Sequence, residues 1–237
     1  MRARAALCIP LLLAGCIDFV EISGPAGTAQ LSLTLRTGNP GLADSLSVSA
    51  LLVVGGGGEV RFAEGDGTLR VAGQVVPVTR RAPGSLDYEA QMVLPQGALR
   101  GPVRVELPRP EGAPLPVPGF EVLVTVRTGP DTLSAAPGAD LVFPVRRGES
   151  RDLVLRSESW RLVATRGLRT AELRADAPIP SPLVLPAELL PADPTRRMAV
   201  ELFAERTYSL GPTGAPPALV VTTEALLGWT VRLPAPP

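Results

Sequence analysis

Few side chains in this 237-residue chain can do covalent, metal-binding or proton-transfer chemistry. Its 23 basic residues are all arginine, and it holds no histidine and no lysine. Without imidazole there is no ordinary side chain titrating near neutrality, no Ser-His-Asp or Cys-His relay and no histidine metal ligand. Without lysine there is no Schiff base and no phosphate-binding P-loop lysine. Two thiols remain, Cys8 and Cys16, both close to the start. Cys16 closes the run Leu13-Ala14-Gly15-Cys16, which follows Arg2, Arg4 and an apolar stretch from Leu7 to Leu13. That stretch is far shorter than the ~20 apolar residues a membrane-spanning helix needs. The order of positive charge, short apolar segment and small residues is that of an export signal.

Leu13-Ala14-Gly15-Cys16 resembles the lipobox of bacterial lipoproteins. The resemblance implies that a signal peptidase recognises Leu13, Ala14 and Gly15, that the thiol of Cys16 is acylated, and that cleavage leaves Cys16 as the first residue. Residues 1–15 are then a signal peptide, and residues 16–30 the lipidated cysteine with a short tether holding Gly24, Pro25 and Gly27. The expected location is the bacterial cell envelope, held to a membrane through the N-terminal lipid. Ile17 follows the cysteine where an aspartate would signal retention, and resemblance to that sorting rule favours the outer membrane.

Cleavage would remove Arg2, Arg4 and Cys8, leaving 21 arginines against 23 carboxylate side chains, a formal charge of −2. That balance suggests neither a nucleic-acid partner nor a polybasic membrane patch. The one remaining thiol would be occupied by lipid, so stability must come from the core and not from disulfides. No catalytic, cofactor-binding or metal-ligating residue is nominated. Gly55 to Gly58 lacks the lysine and helix of a phosphate loop and reads as a hairpin loop. Glu64-Gly65-Asp66-Gly67 matches no calcium-loop spacing and reads as a surface turn, as do Asp131 and Asp140. Among the 23 acids no pair stands out as the two carboxylates of a glycosidase. Three arginine pairs, Arg80-Arg81, Arg146-Arg147 and Arg196-Arg197, would make an anion site if they converged, and otherwise are solvated loop charge. Trp160 and Trp229 would make a sugar-stacking platform if exposed together. With nine aromatic residues in all, both are more simply assigned to a core.

The elements that must position these groups read as strands. Leu31, Leu33 and Leu35 alternate with Ser32, Thr34 and Arg36, and Val103, Val105 and Leu107 alternate with Arg104 and Glu106. Further strands are expected at Leu46 to Val54, Val60 with Phe62, Thr68 to Ala72, Val75 to Thr79, Tyr88 to Leu94, Phe120 to Arg127 and Leu141 to Val145. A second set comprises Asp152 to Arg156, Trp160 to Thr165, Thr170 to Ala175, Ala199 to Glu205, Ala218 to Thr222 and Trp229 to Leu233. Leu141 to Val145 and Asp152 to Leu155 are similar enough to form a hairpin. The proline-rich stretch Pro178 to Pro194 reads as a connection with one helical turn at Ala187 to Leu190.

Many short strands with almost no helix-period segment predict an all-β chain of one or two antiparallel sandwich domains, 31–146 and 147–237. Missing aromatic girdles, plentiful prolines and charges within strands argue against an outer-membrane barrel. The pattern resembles the immunoglobulin-like and fibronectin type III-like sandwiches of envelope proteins, and APGSLDYEAQMVL, with Tyr88, is similar to their tyrosine-bearing segment. These features lead to the expectation of a lipid-anchored envelope protein that binds or scaffolds without catalysis, its partner a protein or a glycan. The alternative is a carbohydrate-binding or carboxylate-dependent glycan-hydrolysing protein.

Overall fold

The computed structural model describes residues 27–39, 42–63, 67–211 and 217–234. Its strands are β1 (Ala29–Asn39), β2 (Leu42–Val54), β3 (Arg70–Val71), β4 (Gln74–Val75), β5 (Val78–Ala82), β6 (Ser85–Val93), β7 (Val103–Glu106), β8 (Gly119–Leu123) and β9 (Val126–Arg127). They continue as β10 (Thr132–Ser134), β11 (Leu141–Phe143), β12 (Val145–Arg146), β13 (Glu149–Ser150), β14 (Val154–Arg166), β15 (Arg169–Ala175), β16 (Leu183–Leu185), β17 (Arg197–Leu210) and β18 (Leu219–Arg232). Helical structure among the described residues is limited to single 3-10 turns at Ala98–Arg100 and Ala187–Leu189. The chain is all-β, with its sheets packed as a sandwich.

The frame is a nine-stranded sheet in the order β15-β14-β17-β18-β1-β2-β6-β5, with β10 also paired to β18. Strands from either side of Arg147 share it. Neighbours are antiparallel except that β1 and β10 run parallel to β18. Hairpin neighbours must be antiparallel, whereas β1 and β18 come from opposite ends of the chain and are free of that constraint. Period-two alternation then sorts each strand into two faces. In β18 every second residue from Leu219 to Val231 is buried. The intervening Val220, Thr222, Glu224, Leu226, Gly228, Thr230 and Arg232 form part of an open outer face.

The inner face carries two cores. Leu31, Leu33, Leu35, Leu52 and Tyr88 meet Val71, Val105, Phe120 and Val122 from a second sheet, ordered β13-β8-β7-β3-β4. Farther along, Leu162, Val200, Leu202 and Trp229 pack with Phe143, Ile179, Leu183 and Leu185. The Phe143 and Trp229 rings meet edge to face, 5.1 Å between centroids. Between the cores lies a polar row, Glu158, Arg206 and Thr223, in register across β14, β17 and β18.

Several strands differ from the sequence reading for identifiable reasons. Leu141 to Val145 does not form a hairpin with Asp152 to Leu155. Pro144 has no N–H to give a ladder and divides the run, so β11 pairs β16 and β12 pairs β9. Pro77 divides Val75 to Thr79 into β4 and β5 in the same way. Phe62 makes an isolated bridge to Pro110, outside any named strand. Conversely, Asp152 to Arg156 and Trp160 to Thr165 merge into β14, whose register shifts between Leu155 and Ser157. Ala218 to Thr222 and Trp229 to Leu233 merge into β18.

Where β1 parts from β18, Gly38 has φ +89, and a Cβ there would sit 1.9 Å from the Leu226 carbonyl oxygen. Only glycine lets the two backbones approach so closely at that φ. We expect Gly38→Ala to destabilise the fold by about 1–3 kcal/mol from backbone strain, with the collision added. A urea-unfolding midpoint equal to that of the parent protein would contradict this.

Candidate functional site

The sequence-nominated groups are dispersed. Cys16, with Leu13, Ala14 and Gly15, lies outside the described residues, as do Glu64, Gly65 and Asp66. Arg80 and Arg81 stand on β5, the edge strand, and meet Glu59 and Asp87 at 2.7 Å each. Arg197 opens β17 opposite Arg232, with four strands between it and β5. Arg146 turns its guanidinium to the carbonyls of Leu99, Arg100 and Val124. The arginine pairs therefore do not converge. Trp229 is 3% exposed, and Trp160 packs against the second core, so the two make no common platform. Among the described residues no group of three His, Cys, Asp or Glu is placed to hold a metal ion. Asp140 accepts from the Ala187 N–H at 2.9 Å, a structural turn contact.

Two charged constellations that the sequence reading did not find are built by strand register. The first is buried. Glu158 and Arg206 oppose one another across β14 and β17, their side chains 3% and 2% exposed, and the Arg206 guanidinium donates to the carboxylate at 2.8 Å. Arg147 adds a two-pronged contact at 2.7 and 3.2 Å. The Ile179 N–H donates at 3.2 Å, and Arg206 also donates to the Tyr208 hydroxyl at 3.1 Å. Burial pushes the Glu158 carboxyl upward, but the donors from Arg206, Arg147 and Ile179 more than offset it and hold it below its ordinary value. Glu158 and Arg206 are sealed from solvent while Arg147 reaches them from the partly exposed side, and the network lies between the two cores.

The second constellation is open. A groove of about 900 Å³ crosses the outer face over β15, β14, β17, β18 and β1. In one row Arg174 opposes Arg161, Arg161 opposes Phe203, and Phe203 opposes Leu226. The Arg161 guanidinium lies over the Phe203 ring, 4.6 Å from its centroid. In the next row Ser159, Glu205, Glu224 and Arg36 are aligned, and Arg36 pairs with Glu224 at 2.6 Å. No Asp or Glu oxygen among the described residues lies within salt-bridge reach of Arg161 or Arg174. Arg161 and Arg174 thus stand in register on adjacent strands, both exposed and neither paired with a carboxylate, an arrangement that is repulsive until an anion joins it.

This arrangement was open to inference from the turn Arg166-Gly167-Leu168-Arg169. A two-residue hairpin loop fixes the register of β14 and β15, and counting back from it sets Arg161 opposite Arg174. The Glu158–Arg206 pair has no such local signal, because a 30-residue connection separates β14 from β17.

No protein-family model matches the chain, and neither a curated protein nor a solved structure matches it.

Proposed function

We propose that this chain is a lipid-anchored protein of the bacterial cell envelope whose β-sandwich body works by binding or scaffolding. The observation that carries the reading is the N-terminal order of Arg2, Arg4, the apolar run to Leu13, and Leu13-Ala14-Gly15-Cys16. β1 begins at Ala29, so the stretch after Cys16 is residues 17–28, two shorter than the sequence reading and at most ~40 Å extended, and the body would work close to the membrane. A binding role agrees with a chain that spends its buried charges on structure and keeps a large open sheet face.

One observation favours the second reading, carboxylate-dependent hydrolysis of a glycan. Glu205 and Glu224 oppose one another in the groove. Directly opposed residues share one face of the sheet, which sets two carboxylates beside one another as a glycosidase pair requires. The binding role ranks first because Glu224 is already paired with Arg36.

Washing isolated envelopes tests the primary reading. We expect the protein to stay with the membrane through high salt and to leave only with detergent, since acyl chains hold by the hydrophobic effect. Recovery in the salt wash would overturn the anchor, and turnover of chromogenic glycans that is lost in Glu205→Gln would promote the hydrolase.

A further inference from the structure

We infer that the outer-face groove binds an acidic glycan, with Arg161 and Arg174 clamping a sugar carboxylate between them. The inference rests on reading the body as a binding module, and gives that module a ligand class.

Several features of the groove converge on this chemistry. Arg161 and Arg174 are in register on β14 and β15, and each is exposed. A carboxylate has two oxygens with about four acceptor sites, enough to receive one guanidinium from each strand. A cation–π contact orders the Arg161 guanidinium over Phe203, on the β17 side of β14, so it is Arg174 on β15 that must reach over β14 to share the carboxylate. Ser159 and Glu205 form the adjoining row and offer a hydroxyl and a carboxylate as partners for sugar hydroxyls.

The surroundings select for isolated anionic charges. Glu172 and Glu201 occupy the next row on the other side of the arginines, both opposite Val163. Asp176 lies at the groove as well. Acids on both sides of two arginines repel a densely charged surface or a nucleic acid, yet leave room for a chain carrying one carboxylate per sugar. The outer face also extends beyond the groove. Ser32, Thr34 and Ser49 line a second depression of about 520 Å³ on the same sheet. Eight strands in sequence span ~34 Å at ~4.8 Å per step, enough for an extended oligosaccharide lying across them.

The test uses the full chain in a neutral detergent, titrated by calorimetry with a galacturonate hexamer, with a neutral galactose hexamer of equal length, and with glycerol phosphate as a soluble lipid-headgroup anion. We expect saturable binding of the uronate alone. Arg161→Gln and Arg174→Gln should each weaken it at least tenfold, and the double variant should abolish it. Arg197→Gln with Arg232→Gln removes another opposed arginine pair, outside the groove, and should leave binding unchanged. The inference is overturned if the uronate does not bind, if the Arg161/Arg174 double variant binds it equally well, or if glycerol phosphate binds in its place. It is overturned alone, with the anchor intact, if the uronate fails while the protein still resists the salt wash.

Discussion

Glu158→Gln lowers the stability of the body by about 3–5 kcal/mol, the range for breaking a buried ion pair from one side. The size follows from what is left behind. Arg206 has a side chain 2% exposed, and in the variant its buried positive charge meets only neutral acceptors, the Gln amide oxygen and the Tyr208 hydroxyl. Arg147 is 38% exposed and can return to water, so the cost concentrates on Arg206. Replacing both members, Glu158→Leu with Arg206→Met, removes the stranded charge and should recover most of the loss. Urea unfolding of the two singles and the double measures the coupling. A Glu158→Gln variant within 1 kcal/mol of the parent protein would show that the pair does not hold the junction.

The same carboxyl sets an acid limit. Its folded value lies below the ordinary 4.5, so the network's contribution is whole above that pH and is lost as pH falls through the lower folded value. Stability measured from pH 5 downward should therefore fall more steeply in the parent protein than in Glu158→Gln, which has no proton to take up there.

Cys16→Ser is expected to abolish acyl labelling and to move the protein out of the membrane fraction. The thiol is the proposed attachment point, and no other cysteine follows it in the sequence. A single myristoyl chain binds membranes only marginally, with an association constant of ~10⁴ M⁻¹, so stable residence requires more than one chain. Losing all of them should shift the membrane-to-soluble ratio by well over tenfold. The remaining apolar run, Leu7 to Leu13, is too short to hold the protein by spanning. A labelled, membrane-bound serine variant would defeat the lipid anchor.

The fold class was legible because period-two alternation is a local property. Leu31, Leu33 and Leu35 point inward in β1 as their spacing requires. The single helical turn at Ala187 was likewise visible among its prolines. What the sequence did not reveal were the partners of strands. Neither the parallel pairing of β1 with β18 nor the joining of β11 to β16 has a local cause, since both depend on which edges remain unpaired after the hairpins close. The junction network was hidden for the same reason: Glu158 and Arg206 have the look of ordinary strand charge until register places them together. Arg146-Arg147 stood out as a possible anion site, whereas its guanidinium groups turn inward to carbonyls and to Glu158. The groove lay between these cases, since its Arg161–Arg174 row follows from one two-residue turn.

We propose that the body is carried on a lipid attached to Cys16. The most direct measurement is the intact mass of the N-terminal proteolytic peptide from protein purified out of its native membrane. The expected peptide begins at Cys16 and carries the added mass of a diacylglyceryl group. A peptide that begins at Met1, or one that contains Cys16 with a free thiol, would contradict it.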